Sequence, residues 1–177
     1  MKKFSTKRLC RAGIIAALYV ALTYAFMPFA FGPVQIRPAE ALCILPLFFV
    51  EAVPALWIGC MLSNLGSPYF VYDVLIGSLA TLIAAFSSYM VGLFIKKDGF
   101  RLVIGGIFPI LFNALIIPLI IVFLCDGGEG YSSLAAAYFS FVGSIALTEA
   151  VWVYALGSPL YYSVKKLRKQ SLRFLQD

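Results

Sequence analysis

The chain has 177 residues, of which 62% are hydrophobic and 12% charged, with a formal net charge of +6 and no histidine. That balance excludes a soluble nucleic-acid binder, because the excess charge reads as basic loops retained on one side of a membrane. The missing histidine removes the usual general base and the commonest metal ligand, and no GxxxxGK loop is present to support ATP hydrolysis by the P-loop route.

Thirteen of the fourteen Lys and Arg residues fall in three clusters. They are Lys2, Lys3, Lys7, Arg8 and Arg11 at the start, Lys96, Lys97 and Arg101 in the middle, and Lys165, Lys166, Arg168, Lys169 and Arg173 at the end. The fourteenth, Arg37, stands alone among apolar residues. Charge-free runs over 12–36, 52–72, 74–95 and 102–125 each reach the ~20 residues that a helix needs to cross hydrocarbon. The expected fold is an all-α integral membrane protein, a single membrane domain over 1–177 built as a six-transmembrane-helix bundle. All three basic clusters and both termini are expected on the cytoplasmic side.

In chain order, the first span is expected over 11–31, ending at Gly32-Pro33. Its apolar run is too long for a cleaved signal sequence, so it reads as a retained helix. Two shorter helices are expected over 38–51 and 54–66, separated by Glu51-Ala52-Val53-Pro54, with Pro54 in a first helical turn. Asp73 reads as the N-cap of a helix over 73–95, which is followed by a span over 102–125. The acidic, glycine-rich segment Asp126-Gly127-Gly128-Glu129-Gly130 reads as an external connection to a last span over 132–163. Cys10, Cys43, Cys60 and Cys125 show no CxxC spacing and are assigned no chemistry.

Two spans carry ribbons of small residues, which let backbones approach closely in lipid. One comprises Gly13, Ala17, Ala21 and Ala25 with Ala12 and Ala16 beside them, and the other Gly77, Thr81, Ala85, Ser88 and Gly92. Both read as internal helix contacts, and for the first span an external protein partner is the alternative.

A charge at mid-membrane costs about 3 kcal/mol even on the lenient insertion scale, so each one needs a partner, a wet cavity or a ligand. Glu51 is expected to cap the following helix from the interface. Gln35, Arg37 and Glu40 surround a helix start on the outer side, where Arg37 and Glu40 form either a structural ion pair or a ligand-binding rim. Asn64 and Asp73 are also external and are open to reading as caps. Asn113 and Glu149 lie well inside their spans, where capping cannot explain them. They either bond each other or line an outward-opening polar pocket, with Trp152 one turn from Glu149 as an aromatic wall. The acidic excess on the outer half favours a cationic or N–H-rich ligand, and Glu with Asn and a stacking aromatic suits a guanine-like edge.

The run FGPVQIRPAEALCILPLFFVEAVPALWIGCMLSN from Phe31, DVLIGSLATLIAA from Asp73, FNALIIPL from Phe112 and TEAVWVYALGSPL from Thr148 resembles the queuosine-precursor transporter family. Those proteins are substrate-binding (S) components of energy-coupling factor transporters, and the likeness covers nearly the whole chain. The resemblance implies a bacterial plasma-membrane protein that captures a 7-deazaguanine such as preQ1 from outside. It also implies partners, namely one transmembrane coupling subunit and two ATPase subunits, which would supply the energy. The AxxxA motif by which S components contact the coupling subunit matches Ala12 and Ala16, with Gly13 and Ala17 as a parallel register. The ligand site is implied beneath the connection carrying Gln35 and Arg37. No cofactor or metal is implied. The expected substrate-binding set is therefore Gln35, Arg37, Glu40, Asn64, Asp73, Asn113, Glu149 and Trp152.

Two other readings stay open. One is a solitary proton-coupled secondary transporter in which Glu149 carries the proton. The other is an intramembrane enzyme using Glu40 or Glu149 as acid or base, disfavoured by the lack of histidine and of paired inward carboxylates.

Overall fold

The computed structural model describes residues 6–31 and 34–173, the last three by backbone alone. Lys2, Lys3 and the expected Gly32-Pro33 stop lie outside the described residues. Among the described residues the chain is all-helical, with no strand. Four helices are long and apolar enough to cross a membrane: α1 (Thr6–Ala25), then, after the short α2 (Ala52–Ser63), α3 (Phe70–Phe94), α4 (Asp98–Leu124) and α5 (Leu134–Gln170). A 3-10 helix, Pro38–Leu47, runs between α1 and α2.

Several helix ends differ from the sequence expectation. α1 starts at Thr6 and breaks after Ala25, because Pro28 has no N–H to give the Tyr24 carbonyl; only a single turn, Met27–Ala30, follows. The segment expected as a helix over 38–51 ends at Leu47 and is wound as 3-10. Pro38 opens it and Pro46 removes a donor inside it. At ~2 Å per residue it is about 20 Å long, and α2 at ~1.5 Å per residue is about 18 Å. Each falls short of the ~30 Å hydrocarbon thickness taken alone. α3 is already running three residues before Asp73, whose N–H bonds the Tyr69 carbonyl at 3.2 Å, so Asp73 is no N-cap. α5 continues past 163 through Lys165 and Lys166, which sustain a helix as well as apolar residues do.

Every residue of the 3-10 helix is buried, and it forms the axis of the fold. Ile15 and Tyr19 of α1 pack with Leu42, Leu45, Leu56 and Ala85 on one side of it. Ile44 and Leu47 pack with Val91, Leu102, Val153 and Tyr161 on the other. Beyond them, α4 and α5 share a separate apolar seam through Ile117, Ile121, Phe141 and Ile145.

Small residues permit this closeness. A Cβ on Gly92 would lie 2.5 Å from the Leu47 carbonyl oxygen, and one on Gly105 would lie 2.6 Å from the Leu47 side chain. Ser88 then ties α3 to α4 by donating to the Gly105 carbonyl at 2.7 Å. The α3 ribbon is therefore an internal contact, with Gly77, Thr81, Ala85 and Ser88 all buried.

The three basic clusters meet at one end of the bundle, where Lys7, Arg8, Arg11, Arg101 and Arg168 line a common cavity. Glu51 occupies the N-cap position of α2 but makes no side-chain cap bond. Its carboxylate instead accepts from Arg11 at 2.6 Å, because the approach of α1 supplies a full charge where the helix end offers only a partial one. At the same end Asp98 pairs with Lys165 and accepts from the Tyr161 hydroxyl at 3.1 Å.

Candidate functional site

The polar residues inside the bundle gather at the start of the 3-10 helix, away from the basic end. The winding explains the grouping. Three residues complete one turn of a 3-10 helix, so positions i and i+3 eclipse, whereas in an α-helix they diverge by ~60°. Arg37, Glu40 and Cys43 therefore form a single column.

Glu40 is the best-compensated carboxylate of the three in this region. Its Oε1 accepts from the Tyr19 hydroxyl at 2.5 Å, its Oε2 accepts from the Cys43 thiol at 3.1 Å, and Arg37 Nε stands 3.7 Å away. Arg37 Nη2 donates to the Tyr19 hydroxyl at 3.1 Å and to Asn64 Oδ1 at 3.4 Å, with the Cys60 sulfur at 3.9 Å. The guanidinium lies 5.9 Å from the Tyr19 ring centroid and 5.7 Å from that of Phe31. The expected pair of Arg37 and Glu40 exists, and it is one edge of a larger network.

Asn64 carries that network to α3. Its amide donates to the Asp73 backbone carbonyl at 2.7 Å, and Thr81 donates to the Cys60 sulfur at 3.2 Å. Asp73 Oδ2 accepts from Ser67 at 2.5 Å, while Asp73 Oδ1 is buried with no hydrogen-bond partner. Gln35 is buried as well, and its Oε1 has no partner.

Asn113 and Glu149 are buried and bonded to each other, with the Asn113 amide 2.9 Å from Glu149 Oε1. This is the interhelical contact that sequence reading set against a ligand pocket. It leaves Glu149 Oε2 buried and unpartnered. Glu149 is near enough to Arg37 and Glu40 to interact with both charges, which places it in the same electrostatic site. Trp152, one turn further along α5, is half-buried in a segment, Val151–Leu156, that widens to π-helical winding. α3 widens likewise over Asp73–Gly77, and such bulges recur at functional sites.

The electrostatics are lopsided. One buried cation, Arg37, faces three buried carboxylates, Glu40, Asp73 and Glu149. Removing a carboxylate from water costs several kcal/mol, and a hydrogen bond from a neutral amide returns only about 1–3 kcal/mol. Glu40 has enough donors; Glu149, with Asn113 alone, does not. The arrangement can therefore bind a cation or a donor-rich solute, or take up a proton. No group of three or more His, Cys, Asp or Glu residues with metal-binding geometry occurs among the described residues.

Sequence reading missed Tyr19, Cys43, Cys60, Ser67 and Thr81, each of which bonds a residue it had singled out or a partner of one. Cys43 was detectable, since it continues the three-residue spacing of Arg37 and Glu40. Ala12 and Ala16 turn inward, packing on the apolar cluster shared with α2, and a Cβ on Gly59 would lie 3.2 Å from the Ala16 carbonyl oxygen. The outward line of α1 is Gly13, Ala17 and Ala21, all exposed.

The QueT transporter family model matches residues 9–166. The queuosine precursor transporter QueT of Lactococcus lactis subsp. cremoris (strain MG1363) is 40% identical over 85 residues, which cover 47% of this chain and 50% of that protein. The aligned part thus spans about half the length of the curated relative. No solved structure matches the chain. A membrane-spanning helical fold, a buried acidic cluster and a family match over most of the length agree, and the chain belongs to the QueT transporter family.

Proposed function

We propose that this chain is the substrate-binding component of an energy-coupling factor transporter that imports a queuosine precursor, preQ1 or a related 7-deazaguanine. The observation that carries this reading is the set of buried acceptors without donors: Gln35 Oε1, Asp73 Oδ1 and Glu149 Oε2. A 7-deazaguanine supplies ring and exocyclic N–H groups, and preQ1 adds an ammonium. Glu149 and Asn113 take the guanine-type edge, the ligand's donors replacing part of their mutual bond, and Trp152 stacks on the ring. Asp73 and Gln35 receive the cationic arm, and Arg37, Glu40 and Asn64 hold the rim in place.

In this reading the two short helices complete a six-pass bundle in the bacterial plasma membrane, with both termini and the basic end in the cytoplasm. The coupling subunit docks along α1, on the exposed line of Gly13 and Ala17, with Ala12 and Ala16 setting the helix against α2 from behind. ATP hydrolysis belongs to two partner ATPase subunits, and this chain performs no catalytic step.

The test is a thermal-unfolding screen of the purified chain with preQ1, preQ0, queuine, guanine and adenine, since a ligand that binds only the folded protein raises its apparent stability. preQ1 is expected to raise the midpoint and adenine to leave it unchanged; no response to any deazaguanine sinks the assignment. One observation favours a second reading, a solitary proton-coupled transporter. The single-bonded Glu149 is chemically suited to carry a proton, and uptake that survives deletion of the ATPases would select it.

A further inference from the structure

The basic end holds a feature that the transport site does not use. A cavity of about 1050 Å³ opens there, lined by Lys7, Arg8, Arg11, Arg101 and Arg168, with Glu51 as the one carboxylate among the described residues that line it. The positive-inside rule accounts for basic residues at this end, but not for residues from all three clusters converging on one hollow. Its size suits a whole polar headgroup rather than a single ion.

Most of the charge inside is uncompensated. Arg11 neutralises Glu51 at 2.6 Å and Arg101 lies within electrostatic reach of Asp98, so that among the described residues Lys7, Arg8 and Arg168 line the hollow without a paired carboxylate. Arg101 donates to the Leu47 carbonyl, and its Nε is buried with no partner. Arg168 reaches the Phe48 carbonyl at 3.5 Å. The Arg101 guanidinium lies 5.1 Å from the Phe48 ring centroid, and that of Arg11 lies 4.2 Å from the Phe49 ring centroid. Those ring contacts and carbonyl bonds fix two guanidinium planes at the wall of the cavity, with donors left for an anion.

The cavity is also open toward an apolar flank. Leu93 and Leu167 line it and are 55% and 64% exposed, and Phe94 and Phe100 beside them are 79% and 63% exposed. An occupant therefore needs an anionic, acceptor-rich head and an apolar tail leaving along that flank. We propose that this cavity is a binding site for the headgroup of an anionic phospholipid, with the phosphate held by Arg101, Arg8 and Lys7 and the acyl chains laid over Leu93 and Leu167.

The test uses the full chain purified in neutral detergent, with phosphatidylglycerol, phosphatidylcholine or inorganic phosphate added, and reads the unfolding midpoint and the lipid retained in native mass spectrometry. Phosphatidylglycerol is expected to raise the midpoint by several degrees and to be retained, with phosphatidylcholine and phosphate inert. The Lys7→Gln/Arg8→Gln double variant changes only exposed residues, so it should fold normally while losing roughly 30-fold in lipid affinity, about fivefold per basic residue. Arg101→Gln, a single substitution, should lose about fivefold. Equal stabilisation by phosphatidylcholine, an equal effect of phosphate alone, or an unchanged lipid response in both variants would each overturn the proposal. A complete lack of response to phosphatidylglycerol would overturn it too and would leave the cavity to an acidic protein segment.

Discussion

The Tyr19 hydroxyl stands 2.5 Å from Glu40 Oε1 and accepts from Arg37 Nη2 at 3.1 Å, so one phenol on α1 bridges the two opposite charges at the head of the central 3-10 helix. Tyr19 and Glu40 are both almost wholly buried, at 0% and 1% exposure. The bond therefore does two jobs: it supplies Glu40 with a short donor, and it anchors α1 to the axis of the bundle. Tyr19→Phe keeps the ring and removes only that oxygen. It should lower stability by about 1–3 kcal/mol, the usual range when a buried charged acceptor loses a donor. Chemical denaturation of the purified chain would measure the loss, and an unchanged midpoint would show that Glu40 does not depend on this bond.

Among the described residues Arg37 is the only buried cation, and three carboxylates lie around it. Arg37→Gln keeps much of the length but strips the charge, leaving Glu40 with neutral donors only. Breaking a buried ion pair on one side costs about 3–5 kcal/mol, because the remaining charge stays desolvated. Arg37→Gln/Glu40→Gln should recover part of that loss, since neither charge is then stranded. A double-mutant cycle reads the coupling, and additive losses would mean that the 3.7 Å pair contributes no net stabilisation.

The spans α3 and α4 were legible in the sequence because each carries ~20 uninterrupted apolar residues, whereas α5 had to be read across Glu149. Asn113 and Glu149 were equally visible, as polar groups too deep for any cap to explain. The 3-10 winding of Pro38–Leu47 was not visible, because composition reports apolar burial and says little about three residues per turn against 3.6. That one geometric fact brings Cys43 under Glu40 and draws a thiol assigned no chemistry into the network. Asp73 misled for a related reason: an acidic residue near a helix start reads as a cap, yet the helix had begun three residues earlier and turned its carboxylate inward. Residue type at the α1 ribbon could not decide rotation about the axis; Ala16 turns inward against Gly59, and Ala12 packs on the same apolar cluster.

Glu149 has one bond, from Asn113 at 2.9 Å, and one bare oxygen. If that oxygen receives a ligand donor, Glu149→Gln replaces a charge-assisted bond with a neutral one and should weaken binding by about 1.5–3 kcal/mol. The same change should leave the folded chain no less stable, because an under-compensated buried charge is removed with it. Calorimetry with preQ1, paired with denaturation of the same preparation, reads both quantities. Unchanged affinity would remove Glu149 from the site, and lost affinity together with lost stability would make its role structural.

Two glycines separate packing from partner contact. A Cβ on Gly59 would sit 3.0 Å from Tyr19 Cβ and 3.2 Å from the Ala16 carbonyl, whereas one on Gly13 would meet nothing within 4 Å. Gly59→Val should push α1 off α2 and, through Tyr19, disturb Glu40, at about 1–3 kcal/mol for overpacking. Gly13→Leu faces outward and should leave both stability and ligand affinity intact. If the exposed line of Gly13 and Ala17 is the docking strip for a coupling subunit, that silent substitution should still depress uptake in cells that express the whole transporter. Normal uptake by Gly13→Leu would place the coupling surface elsewhere, and loss of ligand affinity in the purified variant would show that this face of α1 is tied to the binding site after all.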